Sequence, residues 1–320
     1  MDAAFATRDN VRRVFVAGDT HGNTPWVEGL AATAAAHGCP IVIQVGDFGY
    51  FPHHPDGPRF LTAVDTACAR HGVELWFIDG NHDDHSALAE HRKNDTPIAL
   101  SDHVTYIPRG ARISLGGLTF GFLGGAFSVD WRDRTHGSDW WPNEMTERSD
   151  VAHLGGEPLD VLIAHDAPAR LDLATWQLPA EDQVRTDQVR SLIATAVEAT
   201  RPRIAFHGHW HHAHDTELTW IDRVTTEQSG ALAWQSTRTV GLSCDGDTRW
   251  STPQRVASQV KPSTNRSPSS LSSSTNRATS PTSKLSPMGT FGSTSTTAPF
   301  GLLRTATRRP APANSITSAP

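Results

Sequence analysis

Sulfur is scarce in this chain. Its 320 residues include three cysteines, Cys39, Cys68 and Cys244, far apart in apolar settings and without C-x-x-C spacing. That pattern excludes a disulfide framework and a thiolate zinc site, and it suits small buried hydrophobes in a reducing compartment. Long apolar runs are also missing. No stretch approaches the ~20 residues a membrane span needs, and Met1 to Asn10 lacks the apolar core of a secretory signal. A soluble, cytoplasmic protein with no membrane partner is the expectation. Acids are absent from one end: residues 251–320 contain no Asp or Glu and are dominated by Ser, Thr and Pro. Such a segment cannot bury enough apolar surface to offset its ordering entropy. Residues 1–250 are therefore expected to form the folded domain and 251–320 a disordered, mildly basic tail.

What remains is acidic. Eight of the 28 bases lie in the tail, leaving 20 against all 34 acids, a net of −14 for residues 1–250. All ten Trp and all 17 His lie there too. An acidic body argues against a broad nucleic-acid-binding face, which depends on neutralising phosphates. It suits a domain that sets carboxylates around cations.

The first half alternates strands and helices. Arg13 to Ala17 reads as a strand, and Thr24-Pro25 as an N-cap with Pro at the first helical position. The helix runs to about His37 with Trp26, Leu30 and Ala34 at helical spacing, and Gly38 closes it. Ile41 to Val45 is a buried strand, Pro58 to Arg70 a helix, and Glu74 to Ile78 a third strand. This order predicts parallel α/β layering, which binds ligands at the carboxyl ends of its strands. Arg112 to Leu115 and Leu118 to Leu123 predict a hairpin around Gly116-Gly117. A long loop follows, Ala126 to His153, of a length more often functional than idle. Val161 to Ala164 is another strand, Gln183 to Ala199 a helix, and Arg203 to Phe206 a strand. Segments near Glu217 to Ile221 and Thr237 to Ser243 complete a second sheet.

Metal-type ligands recur just after these strands: Asp19, His21, Asp47, Asn81, His82, His165, His209 and His211. Imidazole and carboxylate are good ligands for first-row divalent ions. Any one of them alone has an ordinary explanation, since Asp and Asn favour turns and His is often structural. Their joint appearance at strand ends of one α/β body is what carries weight.

The blocks Asp19-Thr20-His21, Gly46-Asp47, Gly80-Asn81-His82-Asp83, His165 and Gly208-His209-Trp210-His211 resemble the calcineurin-like metallophosphoesterase superfamily, over about residues 12 to 250. The resemblance implies a four-layer α/β/β/α sandwich of two mixed β-sheets flanked by helices. It implies one metal held by Asp19, His21, Asp47 and His211, and a second by Asp47, Asn81, His165 and His209, with Asp47 bridging. Mixed nitrogen and oxygen ligation suits two divalent ions from among Mn, Fe, Zn, Ni and Co. Such a pair neutralises phosphoryl oxygens and makes hydroxide available near neutral pH. The implied activity is phosphate-ester hydrolysis, with His82 as general acid. Asp83 is either the orienting partner of a nearby imidazole or the cap of a helix beginning near Ser86.

In the long loop, Arg132, Arg134 and Trp140 are candidate substrate contacts, since guanidinium pairs bidentately with phosphate and indole can wall a pocket. Equally, the arginines could pair with Asp130, Asp133 or Glu144 and the tryptophans pack the loop down. Asp166 could hydrogen-bond an imidazole or end its strand. His53 and His54 sit in a Pro-rich loop that could overhang the site, His207 reads as a strand-end residue or else as a partner behind the ligands, and His212 and His214 read as surface. The expected substrate is a phosphorylated small molecule or a nucleotide-type ester. A phosphoprotein phosphatase is the alternative, weakened because the G-D-x-V-D-R-G arginine of that branch is missing from Gly46-Asp47-Phe48-Gly49-Tyr50-Phe51. A non-catalytic scaffold would require lost ligands, and none is lost.

Overall fold

The computed structural model describes residues 7–92, 96–173, 177–245 and 256–258. The chain opens with β1 (Thr7–Arg8) and β2 (Arg13–Ala17), then α1 (Thr24–Ala36). The cap of α1 is Asn23, one residue before the expected Thr24; its side chain accepts from the Trp26 N–H at 3.1 Å. Next come β3 (Ile41–Gln44), α2 (Gly57–His71), β4 (Glu74–Phe77) and α3 (His85–Arg92). Two short strands that carry no strong apolar pattern follow, β5 (Ile98–Ala99) and β6 (Val104–Tyr106). The hairpin of β7 (Arg112–Leu115) and β8 (Leu118–Leu123) forms as expected. Gly116 and Gly117 turn it with φ of 60° and 79°, the left-handed pair that a two-residue hairpin loop requires.

The long segment after β8 holds two single 3₁₀ turns, 131–133 and 142–144, and ends earlier than expected. Residues 148–154 are helix α4 (Arg148–Leu154), nucleated by a capping box between Glu147 and Asp150. Then come β9 (Val161–Ala164), α5 (Ala180–Thr200), β10 (Ile204–His207), β11 (His214–Ile221), α6 (Arg223–Ser229) and β12 (Trp234–Gly241). Finally β13 (Val256–Ser258) pairs antiparallel with β2. Three residues of the expected tail thus add an edge strand to the domain, and residues 259–320 lie outside those described.

Two sheets result, ordered β1-β7-β8-β9-β10-β12-β11 and β13-β2-β3-β4-β6-β5. The period-two rule of strands explains the layering. Val14, Val16, Ile41 and Ile43 face the other sheet, meeting Phe120, Phe122, Val161, Ile163, Ile204 and Phe206 in one core. Phe15, Ala17 and Val42, the alternate residues, face α1 and α2. On the opposite outer surface Leu162, Ala164 and Ala205 meet Ile193, Ala196 and Val197 of α5. The architecture is an α/β/β/α sandwich, and each fully buried Ile, Val or Phe adds about 1.5–3 kcal/mol to holding it shut. Strands β2, β3 and β4 run parallel, as do β8, β9, β10 and β12. The loops leaving β2, β3, β4, β9 and β10 at their carboxyl ends meet at one rim. Among the described residues no helix is long and apolar enough to cross a membrane.

Candidate metal centre

Donor atoms of Asp19, His21, Asp47 and His211 lie within 4.8 Å of one another, and so do those of Asp47, His165 and His209. Asp47 belongs to both groups. Its Oδ2 lies 3.4 Å from His21 Nε2, and its Oδ1 lies 3.4 Å from His165 Nε2. Asn81 Oδ1 reaches His165 Nε2 at 3.1 Å, and His211 Nε2 reaches Asp19 Oδ2 at 3.1 Å. All seven expected ligands therefore come together, with one carboxylate presenting an oxygen to each half.

The backbone is bent to achieve this. His21, Asp47, His209 and His211 have φ of 43°, 54°, 63° and 49°, in the left-handed region that residues with a Cβ seldom adopt. Such outliers cluster where function demands a geometry the chain would not choose. Two glycines let backbone pass against the ligands. A Cβ built on Gly80 would lie 2.1 Å from Asp47 Oδ1, and one on Gly208 would lie 2.0 Å from Asp19 Oδ1.

Electrostatically the site calls for cations. Burial alone would lower the pKa of His21 and His165, but Asp47 and Asp19 overturn it and raise them to about 9 and about 10. The Asp19 hydrogen bond raises His211 to about 10 as well. Asp47 stays well below the carboxylate range because His165 and His82 outweigh its burial. His209, by contrast, is lowered to about 3 by burial and the neighbouring His165. Protons on three imidazoles thus do the neutralising that divalent ions would do. The donor set, all nitrogen and oxygen with one shared carboxylate, fits two such ions.

That substitution has a measurable sign. A raised imidazole stabilises the fold fully below its unfolded pKa, and the contribution disappears as pH rises through the folded value. Metal-free protein should hence lose thermal stability between pH ~6.5 and the range of about 9 to 10 set by His21, His165 and His211. Metal-loaded protein should lack that slope, and melting temperatures measured across this range with and without chelator check it.

Behind the ligands sit partners that sequence reading missed. His21 Nδ1 is 2.7 Å from Asp245 Oδ1, whose other oxygen accepts from Asn23 Nδ2 at 2.9 Å. Asn81 Nδ2 donates to Ser128 Oγ at 3.1 Å, and Ser128 donates to Glu144 Oε2 at 2.8 Å. This relay turns the Asn81 oxygen toward His165. His165 itself is aimed by its Nδ1, 2.9 Å from Val45 O. Asp245 carried a usable signal, since it follows β12 as the other ligand loops follow their strands. Ser128 and Glu144 carried none, because their pairing spans a folded loop. Cys244, expected to be a buried hydrophobe, is only half-buried and hydrogen-bonds His211. Groups that orient metal ligands typically contribute about 10–100-fold to affinity. Asp245→Asn and Ser128→Ala should each weaken metal binding by about that factor while leaving the circular dichroism spectrum unchanged.

Other sequence expectations resolve differently. Asp83 neither caps α3 nor orients an imidazole. Its carboxylate accepts the backbone N–H groups of Phe48, Gly49, Tyr50 and Gly80, tying the β3 and β4 loops together. Burial and the adjacent Asp47 charge raise it to about 7 against those bonds. The cap is Asp84, which accepts from Ser86 and Ala87. Arg132 pairs with Glu181 and Asp182 at the start of α5, pinning the long loop there. Trp140 packs on Trp131 and His136 at 5.5 and 5.8 Å, so it holds the loop together. Arg134 does reach the site: it pairs with Asp130 at 2.9 Å and lies 2.6 Å from His82 Nδ1. Asp166 accepts the Trp210 indole N–H at 2.8 Å. His207 is buried against His214, and His53 meets Asp84 at 3.0 Å.

His82 stands at the mouth. Its backbone N–H donates to Asp47 Oδ1 at 2.6 Å, and its ring meets His21 edge-on at 5.5 Å. Beside the ligands opens a cavity of about 220 Å³, lined by Asp47, Asn81, His82, His209 and His211. Val129, Asp130, Leu178, Gln183, Thr186 and Trp210 complete its lining.

No curated protein matches the chain by sequence. Among solved structures, TT1561 of Thermus thermophilus is similar with a TM-score of 0.40 and 11% identity, covering 73% of this chain and 90% of that one. A dimetal phosphatase from Danio rerio gives a TM-score of 0.46 and 13% identity, covering 78% and 92% respectively. The family model for calcineurin-like phosphoesterases matches residues 12–213, a span that contains every proposed ligand. With that match on a sandwich whose rim gathers two carboxylate–imidazole clusters around Asp47, this chain belongs to the calcineurin-like phosphoesterase family.

Proposed function

We propose that the protein is a dinuclear metal-dependent hydrolase of phosphate esters, acting on monoesters or diesters of small molecules or nucleotides. The observation that carries this reading is the sharing of Asp47 between two ligand clusters that open onto one cavity. Two divalent ions, when bound, would supply charge neutralisation for phosphoryl oxygens and a nucleophile at neutral pH. Manganese is the ion to try first, with Fe, Zn, Ni and Co as the other ions suited to these donors.

The chain's own residues supply the rest. His82 protonates the leaving oxygen, since it lies on the cavity side of Asp47 and beside Arg134. Burial and the Arg134 charge hold its imidazole below the usual range, against the pull of Asp47. A phosphate entering between His82 and Arg134 reverses that bias, because its negative charge favours the protonated ring. Arg134 then clamps the phosphate, bringing from the loop after β8 the guanidinium that the Gly46–Phe51 stretch lacks. Asp83 keeps the two ligand loops in register.

Hydrolysis of 4-nitrophenyl phosphate and bis(4-nitrophenyl) phosphate, with manganese and with chelator, tests the proposal. Turnover should require metal and fall by about 10²–10⁴-fold in His82→Ala, the usual weight of a general acid. Chelator-resistant turnover, or a His82→Ala variant at the wild-type rate, contradicts it. The ratio of the two substrates tells monoesterase from diesterase, and a phosphopeptide panel tests the protein-phosphatase alternative.

A further inference from the structure

The long loop carries both groups that orient the Asn81 amide, Ser128 near its start and Glu144 near its end. Between β8 and α4 the chain forms two 3₁₀ turns and one isolated bridge, His136 to Trp140. No ladder or helix therefore fixes where Glu144 stands against Ser128. Something else has to.

Arg109 makes the connection. It is buried in the turn between β6 and β7 and lies outside both ligand clusters. Its Nε and Nη2 donate to Asp79 Oδ2 at 2.9 and 2.6 Å. The same guanidinium donates to the carbonyls of Glu144 and Met145 at 2.7 and 2.6 Å. Asp79 is two residues before Asn81, so Arg109 ties the return of the loop to the segment that carries the ligand. Tyr106 and Arg92 also donate to Asp79, at 2.7 and 2.8 Å. The start of the loop joins the same clasp. The Gly125 N–H donates to Asp79 O at 2.8 Å, and the Thr146 hydroxyl donates to the Gly124 carbonyl at 2.8 Å. A Cβ on Gly125 would collide with Glu144 O and with the Arg109 guanidinium, so entry and return close around Arg109 without spare room.

A buried ion pair adds little to a fold that packed apolar side chains could not add. What an apolar pair could not do is hold two successive carbonyls of an irregular loop, and the planar fork of a guanidinium can. Resting on the reading of the rim as a two-metal centre, we infer that Arg109 is a positioning residue for one ion of the pair. By fixing Glu144 it fixes Ser128, and through Ser128 the Asn81 oxygen beside the cluster of Asp47, His165 and His209. On the other side of Asp47, His21 and Asp19 take their support from Asp245 and from the His209 backbone instead.

Zinc titration of the metal-free full chain tests this, read by calorimetry and by the ring resonances of the ligand histidines. Arg109→Lys keeps a cation beside Asp79 but loses the fork. It should weaken about tenfold the ion reported by His165 and His209, and leave the ion reported by His21 and His211 at its wild-type affinity. In a Ser128→Ala background the same substitution should cost little more, because both changes act through Asn81. Affinity lost equally at both ions, or losses that multiply in the double variant, would make Arg109 a general brace and overturn the inference. Should Arg109→Lys fail to fold, Glu144→Gln takes its place: it is isosteric, keeps the carbonyl that Arg109 holds, and should show the same one-sided loss. Wild-type binding of both ions in that variant overturns the inference as well. None of these readouts needs turnover. A wild type that binds two ions beside variants that lose neither contradicts the role of Arg109 alone, whereas a wild type that binds fewer than two contradicts the metal centre with it.

Discussion

Replacing Asp47 by Asn should abolish metal-dependent turnover, with kcat lower by about three orders of magnitude or more, since a two-metal site supplies several kcal/mol of transition-state stabilisation. Asp47 is the residue both clusters share, so its loss should empty both positions. An asparagine can still accept from the His82 backbone N–H, as Oδ1 does now at 2.6 Å. It cannot present an anionic oxygen to each half. The same change removes the charge that raises His21 and His165, so both imidazoles should titrate nearer their ordinary range. Metal content by mass spectrometry and proton resonances of the His side chains give independent readouts. Retention of two ions per chain in Asp47→Asn would mean that the carboxylate is not the bridge.

Gly80→Ala should be nearly as damaging, for a steric reason. Gly80 precedes Asn81 at the end of β4, and its built Cβ would lie 2.2 Å from the Asp47 backbone nitrogen as well as 2.1 Å from Oδ1. A flexible side-chain tip could yield, but a backbone atom held by the β3 loop cannot. Overpacking of this kind typically costs about 1–3 kcal/mol, and here it also pushes the bridging carboxylate away from His165, 2.7 Å from the same Cβ. Both stability and metal affinity should drop. The matched control is Gly29→Ala in the middle of α1, where a Cβ meets nothing within 4 Å. There the substitution should be neutral or stabilising by about 0.5–1 kcal/mol, the helix preference of Ala over Gly. Thermal melts of the two variants side by side check the contrast.

The elements that shape the rim were legible because their signals are local. Val14 to Ala17, Ile41 to Ile43 and Leu162 to Ala164 are short apolar runs, and a candidate ligand follows soon after each: Asp19, Asp47 and His165. Hairpin β7–β8 announced itself through Gly116-Gly117. Strands β5 and β6 did not, because two or three residues are too few to show a period. Strand β13 lay in a composition that reads as disordered, and pairing with the edge at β2 makes it a strand.

Sequence alone brought out the candidate ligands, since Asp19, His21, Asp47, Asn81, His165, His209 and His211 each follow a strand in an order that one fold accommodates. It could not decide what each remaining polar side chain does. Arg132 and Arg134 are two residues apart, yet one binds the acids of α5 and the other reaches His82. Asp83 and Asp84 are adjacent, yet one locks two loops and the other caps a helix. Asp245 meets His21 from 224 residues away. Such contacts depend on how two sheets pack face to face and where their loops then lie. Strand and helix periods specify which face a residue occupies; only the packed sandwich specifies what that face meets.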